Sequence, residues 1–198
     1  MNFPGSKRRL VLASTSPYRR KLLERLRIPF EVAAPGVDET PHPDETPEAL
    51  TRRLAIAKAQ AVGKSHPEAI VIGSDQVASL DGEALSKPEV HDRAVAQLRR
   101  MRGRRVEFFT ALAVHCEATG KTVSRTVPYS VEFRDFSDHQ LEAYLRAEQP
   151  YDCAGSAKAD GLGIALIRRM AGDDPNALIG LPLIALVELL AEHGFEVL

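Results

Sequence analysis

Hydroxyl and guanidinium side chains cluster near the amino terminus of this chain, in the segment RLVLASTSPYRRKLL. The apolar run at 10–12 predicts a buried strand, and Pro17 followed by good helix formers predicts an amphipathic helix. Ser14 lies at the turn between them, where the free N–H groups and the dipole of the helix attract an anion. Arg19 and Arg20 add guanidinium groups whose geometry matches phosphate. We therefore expect a phosphate-binding turn; the alternative is a capped helix with solvated arginines.

Carboxylates occupy two further regions that are rich in turn residues. Asp38 and Glu39 stand between prolines in the loop PGVDETP. Divalent cations take oxygen ligands and bridge phosphates, so one of the two is expected to hold such a cation, with solvated loop acids as the alternative. Asp75 follows the apolar run AIVIGS, which predicts a core strand ending near the carboxylate. Ligands bind at that end of strands in open α/β sheets, so Asp75 is either catalytic or a simple turn residue.

Two lysines and a glycine-rich loop complete the candidate site. Lys58 lies on a helix predicted to begin at Pro47, where a lysine usually faces solvent, and Lys87 precedes a proline that favours extended backbone. The loop at 151–163, YDCAGSAKADGLG, is rich in small residues that let a backbone approach a ligand closely. Cys153 in this loop is interpreted as a buried small residue, because no specific histidine is paired with it as a nucleophile would require.

Composition argues against several classes of function. The chain has 198 residues, a formal net charge of −1 and only 2 cysteines, which is unlike a strongly basic nucleic-acid binder or a disulfide framework. No C-x-x-C or H-E-x-x-H pattern indicates a zinc site. The amino terminus, MNFPGSKRRL, lacks a signal-peptide core, and no run reaches membrane-spanning length, so a cytoplasmic protein with no membrane partner is expected. The arginine-rich run at 99–105 is interpreted as a solvated helix end.

Hydrophobic periodicity and turn residues predict the elements that must position these side chains. Roughly central β-hairpins indicate two lobes within one domain. Helices are predicted to begin near Pro17, Pro47, Asp92, Asp138 and Pro182; strands are predicted at 10–12, 30–33, 69–77, 106–115 and 122–133, with a hairpin at 77–85 around Asp81 and Gly82.

The combined features fit one reaction class. A phosphate-binding turn, two acidic regions, lysines near each and a small-residue loop are what metal-assisted hydrolysis of a nucleotide requires. Residue types and spacing predict no more than this.

Several spaced motifs resemble those of the Maf nucleotide pyrophosphatases along almost the whole chain: ASTSPYRRKLL from Ala13, VDET from Val37, GSDQV from Gly73, SKP from Ser86, CAGS from Cys153 and GLPL from Gly180. The resemblance implies a single domain over residues 1–198. Its fold would be α/β of the Maf/ITPase-like kind, with a mixed twisted β-sheet flanked by helices and a central cleft between two lobes. It also implies a nucleoside triphosphate substrate and a divalent metal cation (Mg, Mn or Co), and it is compatible with a homodimer.

The resemblance further implies roles for individual residues. Asp75 resembles the proton acceptor that activates water. Glu39 resembles a catalytic residue that is either a metal ligand, together with Asp75, or the organiser of one. Arg20 either joins the phosphate-binding residues or packs outside them. The remaining phosphate-binding residues implied by the resemblance are Ser14, Arg19, Lys58 and Lys87, of which the two lysines are catalytic.

Three positions resemble those that read the base. Tyr18, Gln76 and Asp160 resemble the residues found at these positions in the subfamily that hydrolyses N7-methyl-GTP. Relatives acting on dTTP and UTP carry arginine, threonine and glutamine at the same three positions. The N7-methyl-GTP subfamily usually has tryptophan and glutamate at 18 and 160, so this chain keeps the chemical types with a shorter reach. The alternatives are a pyrophosphatase for dTTP, UTP or other noncanonical nucleotides, and a cell-division-linked regulator that binds nucleic acid, which the near-neutral charge disfavours.

Overall fold

The computed structural model describes residues 8–198. Residues 1–7, which carry most of the segment predicted to lack a signal peptide, lie outside the described residues. None of the helices within 8–198 is long and apolar enough to cross a membrane. In chain order the elements are β1 Leu10–Ala13, α1 Pro17–Glu24, β2 Glu31–Ala33, α2 Pro47–Gly63, β3 Ile70–Leu80, β4 Glu83–Leu85, α3 His91–Met101, β5 Arg105–Cys116, β6 Lys121–Phe133, α4 Asp138–Glu148, β7 Ile167–Ala171 and α5 Leu183–Glu192.

The strands form one seven-stranded mixed sheet, so the predicted α/β fold with a mixed sheet is confirmed. The strand order is β2-β1-β3-β5-β6-β7, with β4 paired to β3. Strand β1 is parallel to both β2 and β3, and the other pairs are antiparallel. The predicted antiparallel pairing of the two long strands, β5 and β6, is also confirmed.

The strand predicted before Asp75 and the hairpin predicted after it are one continuous strand, β3, which turns at Asp81 and Gly82 into β4. The two turn residues have φ of 53° and 86°, as a tight hairpin with this pair requires. Asp75 therefore lies inside a strand and not at its end, which corrects the sequence interpretation. It still lies at the expected edge of the parallel part of the sheet, because the pairing of β3 with β1 stops at Gly73.

The helices α1 and α2 begin where the sequence predicted, because each has a hydroxyl N-cap followed by proline. Ser16 Oγ accepts from the backbone N–H of Arg19 at 3.4 Å, and Thr46 Oγ1 accepts from that of Ala49 at 3.2 Å. Such caps satisfy N–H groups that the first helical turn leaves without a partner. The local signals thus fix both starting points.

A cleft of about 600 Å³ separates two sides of the molecule. One side consists of the β1–α1 turn and α2, and the other includes β4 and the segment that follows it, up to Lys87. These sides correspond to the predicted lobes. One continuous cluster of buried residues joins β1 on one side to β4 on the other, since it contains Leu10 and Leu12 as well as Leu85.

The arginine-rich run at the end of α3 is paired with carboxylates. Its partners are Asp138 for Arg99 and Arg102, Glu83 for Arg100, Asp81 for Arg104 and Glu107 for Arg105. A nucleic-acid surface needs cations that are available to phosphates. The pairing supports the interpretation of this run as a solvated face.

Candidate active site

A buried ammonium joins two carboxylates at the base of the cleft. Lys58 Nζ lies 2.7 Å from Asp75 Oδ1 and 2.7 Å from Glu39 Oε1. The side chains of Lys58 and Asp75 are 6% and 9% exposed, whereas that of Glu39 is 57% exposed. Lys58 therefore does not face solvent, contrary to the expectation from its helix. A buried carboxylate on β3 needs a counter-charge, and α2 supplies it.

Burial and charge act on Asp75 in opposite directions. Desolvation raises the pKa of Asp75 above its ordinary value, and the nearby Glu39 carboxylate acts in the same direction. Lys58 and Arg19 lower it, but they offset only part of the effect of burial. A carboxylate with a raised pKa accepts a proton from water more readily than a solvated aspartate does. The environment of Asp75 is therefore that of a general base.

The hydroxyl-rich turn after β1 forms one wall of the cleft. Ser14 Oγ accepts from the Ser16 N–H at 3.2 Å and from Arg19 Nη1 at 3.5 Å. Arg19 Nε donates to the carbonyl of Gly180 at 2.9 Å, which fixes the guanidinium. Burial lowers the pKa of Arg19, while Asp75 raises it; the guanidinium stays charged because its ordinary pKa lies so high. The wall is thus positively charged and preorganised.

Arg20 and Lys87, two of the predicted phosphate-binding residues, differ in their position relative to the cleft. Arg20 is exposed on α1, where its Nε lies 3.0 Å from Glu24 Oε1, and it is not part of the cleft wall. This position matches the alternative given for Arg20, packing outside the phosphate-binding residues, while its inclusion among the substrate-binding residues stays a prediction. Lys87 is exposed on the cleft wall and forms no ion pair with any residue in the described part of the chain. It remains available to an anion.

The three residues expected to read the base lie together. Tyr18, Gln76 and Asp160 line a narrow recess of about 120 Å³ next to the cleft. Tyr18 and Gln76 line both spaces, so the recess continues the cleft. The Tyr18 hydroxyl donates to Asp152 Oδ2 at 3.4 Å, and Lys158 Nζ lies 5.7 Å from its ring centroid. Burial raises the pKa of Tyr18 to about 12, so the phenol stays neutral.

Sequence reasoning missed the loop at 174–181, whose backbone carbonyls hold several site residues. The carbonyl of Gly180 accepts from Ser74 Oγ at 2.9 Å as well as from Arg19. The carbonyl of Ala177 accepts from Gln76 Nε2 at 2.8 Å. The GLPL motif pointed to this region, but only as core, because no residue type identifies a carbonyl that is aimed at a site.

Lys158 and Cys153, two residues of the glycine-rich loop, have different environments. Lys158, which was not singled out, forms an ion pair of 2.8 Å with Glu148 beside the recess. Burial raises the pKa of Cys153 to about 12, and the adjacent Asp152 carboxylate adds to this effect. The thiol is therefore a poor nucleophile, which supports its interpretation as a small packing residue.

The donor set fits a hard divalent cation that is held partly by substrate. Within residues 8–198, no group of three or more His, Cys, Asp or Glu side chains is placed to hold a metal ion by itself. Glu39 and Asp75 supply two carboxylates on one side of the cleft. Magnesium commonly binds one or two carboxylates and completes its coordination with water and substrate phosphates. Two carboxylates beside a cationic wall match that pattern.

Proteins of known family are similar to this chain along almost its whole length. Residues 9–193 match the family model described as Maf-like protein. The chain is 57% identical over 189 residues to a 7-methyl-GTP pyrophosphatase of Methylobacillus flagellatus, covering 96% of this chain and 98% of that one. It is 59% identical to the protein of the same name from Thiobacillus denitrificans, covering 96% and 94%. It is 52% identical to that of Nitrosococcus oceani, over the full length of both.

Among solved structures, the Staphylococcus aureus Ham1 protein matches with a TM-score of 0.47 and 19% identity, over 65% of this chain and 73% of that one. The family match covers nearly all of the chain, including every element that lines the cleft. This chain belongs to the Maf-like protein family.

Proposed function

We propose that this chain is a nucleoside triphosphate pyrophosphatase that hydrolyses N7-methyl-GTP to N7-methyl-GMP and diphosphate, and so removes a modified nucleotide from the pool. The observation that carries the proposal is a buried carboxylate of raised pKa facing the same cleft as three cationic side chains, Arg19, Lys58 and Lys87. The names of relatives that are 52–59% identical support the substrate.

The geometry supports attack by water on the α-phosphorus. Asp75 accepts a proton from the water, and the new bond forms as the bond from the α-phosphorus to the bridging oxygen breaks. Diphosphate leaves with the electron pair of that bond. Arg19, Lys58 and Lys87 offset the negative charge that develops on the leaving group. The Ser14 hydroxyl, which lies in the cleft wall, adds a hydrogen bond to a phosphate oxygen.

Glu39 and Asp75 would hold a divalent cation, with magnesium, manganese and cobalt all suited to oxygen ligands. When bound, the cation supplies Lewis acidity toward the phosphate oxygens. Lys58 keeps the two carboxylates together. The cytoplasmic location and the homodimer stay predictions.

The base enters the recess beside the cleft. Tyr18 offers a neutral aromatic face, which attracts a positively charged methylated purine. Asp160 is exposed at the recess and accepts hydrogen bonds from base N–H groups. A pyrophosphatase for dTTP, UTP or another noncanonical nucleotide would use the same phosphate-binding residues with a different fit in this recess.

Product analysis with N7-methyl-GTP and a divalent cation tests the proposal. We expect equal amounts of N7-methyl-GMP and diphosphate from the wild type. Asp75→Asn is expected to lower turnover by about a hundredfold or more, because it removes the base, while nucleotide binding persists. Asp135→Asn is the matched control, since Asp135 is exposed outside the cleft wall. Release of single phosphate, or Asp75→Asn turnover within about threefold of wild type, would contradict the proposal.

A further inference from the structure

The amide nitrogen of Gln76 is surrounded by hydrogen-bond acceptors. Gln76 Nε2 lies 2.8 Å from the carbonyl oxygen of Ala177, 3.0 Å from that of Leu178 and 2.9 Å from Thr110 Oγ1. An amide nitrogen carries two hydrogens, and three acceptors share them here. The nitrogen therefore has no donor left for a ligand.

The polarity of these contacts permits only one orientation of the amide. The carbonyls of Ala177 and Leu178 can only accept. The Thr110 hydroxyl donates its single hydrogen to the Ala177 carbonyl at 2.8 Å, so it offers Gln76 a lone pair. A reversed amide would place its oxygen against these same acceptors, leaving several buried polar groups without partners. The Gln76 oxygen must therefore point away from them.

The acceptors are themselves held firmly. Thr110 is fully buried and lies opposite Gln76 in the β3–β5 pairing. The loop at 174–181 is anchored by the buried carboxylate of Asp174, which accepts from the Ile184 N–H in α5 at 2.7 Å and from Asn176 Nδ2 at 2.9 Å. A rigid set of acceptors fixes a side chain better than mobile ones do.

We propose that Thr110 and the loop at 174–181 lock Gln76 so that it presents only its carbonyl oxygen to the base, and that this selects nucleotides whose base edge carries hydrogen-bond donors. The inference rests on the proposed function for the identity of the ligand. Gln76 lines both the cleft and the recess. Among the described residues, the side-chain hydrogen bonds of Gln76 all run through Nε2, which leaves Oε1 available to a ligand. Thr110 is a positioning residue in this scheme, because it acts through Gln76.

The second acceptor in the recess makes the selection specific for guanine. Asp160 also lines the recess and, when ionised, only accepts. Guanine carries an N–H and an amino group side by side on one edge, and methylation at N7 leaves both in place. Adenine and cytosine each place a ring-nitrogen acceptor on that edge. Where Gln76 and Asp160 meet such a base, two acceptors face its ring-nitrogen lone pair, and this repulsion discriminates more strongly than a lost contact alone.

The test compares kcat/KM for N7-methyl-GTP with that for ATP. Thr110→Val keeps the shape but removes the hydroxyl, so that only the loop carbonyls of Ala177 and Leu178 still hold the Gln76 amide. We expect it to lower this selectivity about tenfold, the effect of one hydrogen bond, with the loss appearing in KM more than in kcat. Thr110→Ser should restore the selectivity. In a Gln76→Ala background, Thr110→Val should cause no further loss, since it acts through Gln76. Unchanged selectivity in Thr110→Val, or an equal loss in both backgrounds, would overturn the proposal.

A measurement without substrate separates this proposal from the proposed function. In ¹⁵N NMR of the wild type, the two Gln76 side-chain amide protons, assigned by their absence in Gln76→Ala, should exchange slowly with solvent. Thr110→Val should exchange them faster, and Thr110→Ser should not. Fast exchange in the wild type would overturn the locking of Gln76. Slow exchange in a protein that hydrolyses none of the nucleotides would support the locking and refute the function.

Discussion

Asp75 combines two requirements that usually conflict, because a general base must be ionised and yet bind a proton readily. Desolvation favours the protonated form of the buried carboxyl group. The ammonium of Lys58, 2.7 Å away, favours the ionised form but offsets only part of the effect of burial on the pKa of Asp75. The resulting carboxylate is paired, buried and still a better base than an exposed aspartate.

Tyr18 gives a prediction about base discrimination. Tyr18→Ala should lower the preference for N7-methyl-GTP over GTP by about tenfold, because the attraction between an aromatic face and a cationic ring is lost. Tyr18→Phe is the matched control, since it removes only the hydrogen bond to Asp152 and keeps the ring. The measurement is the ratio of kcat/KM for the two nucleotides. An equal loss on both would show that Tyr18 does not read the methylated base.

The residue types of the site were predictable from the sequence, but their environments were not. Ser14 and Arg19 lie at the turn as predicted, because a strand, a hydroxyl cap and a proline are local features. The burial of Lys58 depends on which face of α2 meets β3, and this is decided by packing between the two elements and not by the residue types around Lys58. Thr110 carried no chemical signal, because its importance comes only from its pairing opposite Gln76.

At the scale of elements, the site depends on how closely α2 approaches β3. A Cβ on Gly73 would lie 2.2 Å from the carbonyl oxygen of Ala55 and 2.7 Å from the backbone nitrogen of Ala59. Glycine at this position therefore lets the helix lie against the strand. The same approach places Lys58 of α2 beside Asp75 of β3.

Gly73→Ala should force α2 away from β3. We expect a loss of about 1–3 kcal/mol in the free energy of unfolding, the usual cost of overpacking, measured by urea denaturation. Turnover should fall as well, because Lys58 moves with the helix. A variant with wild-type stability and wild-type turnover would show that this close approach does not position the site.

The loop that carries Glu39 is tied to α2 by Arg53. Arg53 Nε and Nη2 donate to the two carboxylate oxygens of Glu45 at 2.7 and 2.8 Å, and Nη2 also donates to the Thr40 carbonyl at 3.1 Å. These hydrogen bonds lower the pKa of Glu45 to about 2, from an ordinary value of 4.5. The contribution of the pair to stability is therefore present above pH 4.5 and is lost as the pH falls toward 2.

Arg53→Met should accordingly lower the melting temperature at pH 7, and the difference from wild type should shrink below pH 4.5, where Glu45 would be protonated without its partner. Arg52→Met is the matched control, since Arg52 is exposed on the same helix and donates only to Ser124. Thermal unfolding at pH 7 and at pH 3 measures the effect. A difference that stays constant between these pH values would contradict the assigned pairing.

Some turns and helix ends were predicted correctly because sequence signals within a few residues determine them. The capping box at Ser137 and the turn at Asp81 and Gly82 form as predicted, because each is decided within a few residues. The length of β3 was underestimated, since the same strand pairs in parallel with β1 and then continues against β4 and β5. A strand whose neighbours change along its length has no single sequence pattern.

At the scale of the whole molecule, the sheet assembles the site from distant segments. β1 supplies the hydroxyl turn, β3 supplies Asp75 and Gln76, and the loop before α5 supplies the carbonyls that hold Arg19 and Gln76. The strand order brings together segments that are distant in the sequence. The spacing of residues in the sequence therefore predicted a reaction class but not the cleft. The spaced motifs supplied the expectation of a mixed α/β fold, and the structure confirms that fold.

The most direct measurement is diphosphate release by the purified protein, with a divalent cation, from N7-methyl-GTP, GTP, dTTP, UTP and CTP side by side. A neutral aromatic face at Tyr18 and the acceptors at Gln76 and Asp160 predict that N7-methyl-GTP is the strongly preferred substrate. Preference for a pyrimidine nucleotide would contradict the assignment of the recess while leaving the phosphate-binding residues intact. Release from none of the five would contradict the enzymatic function itself.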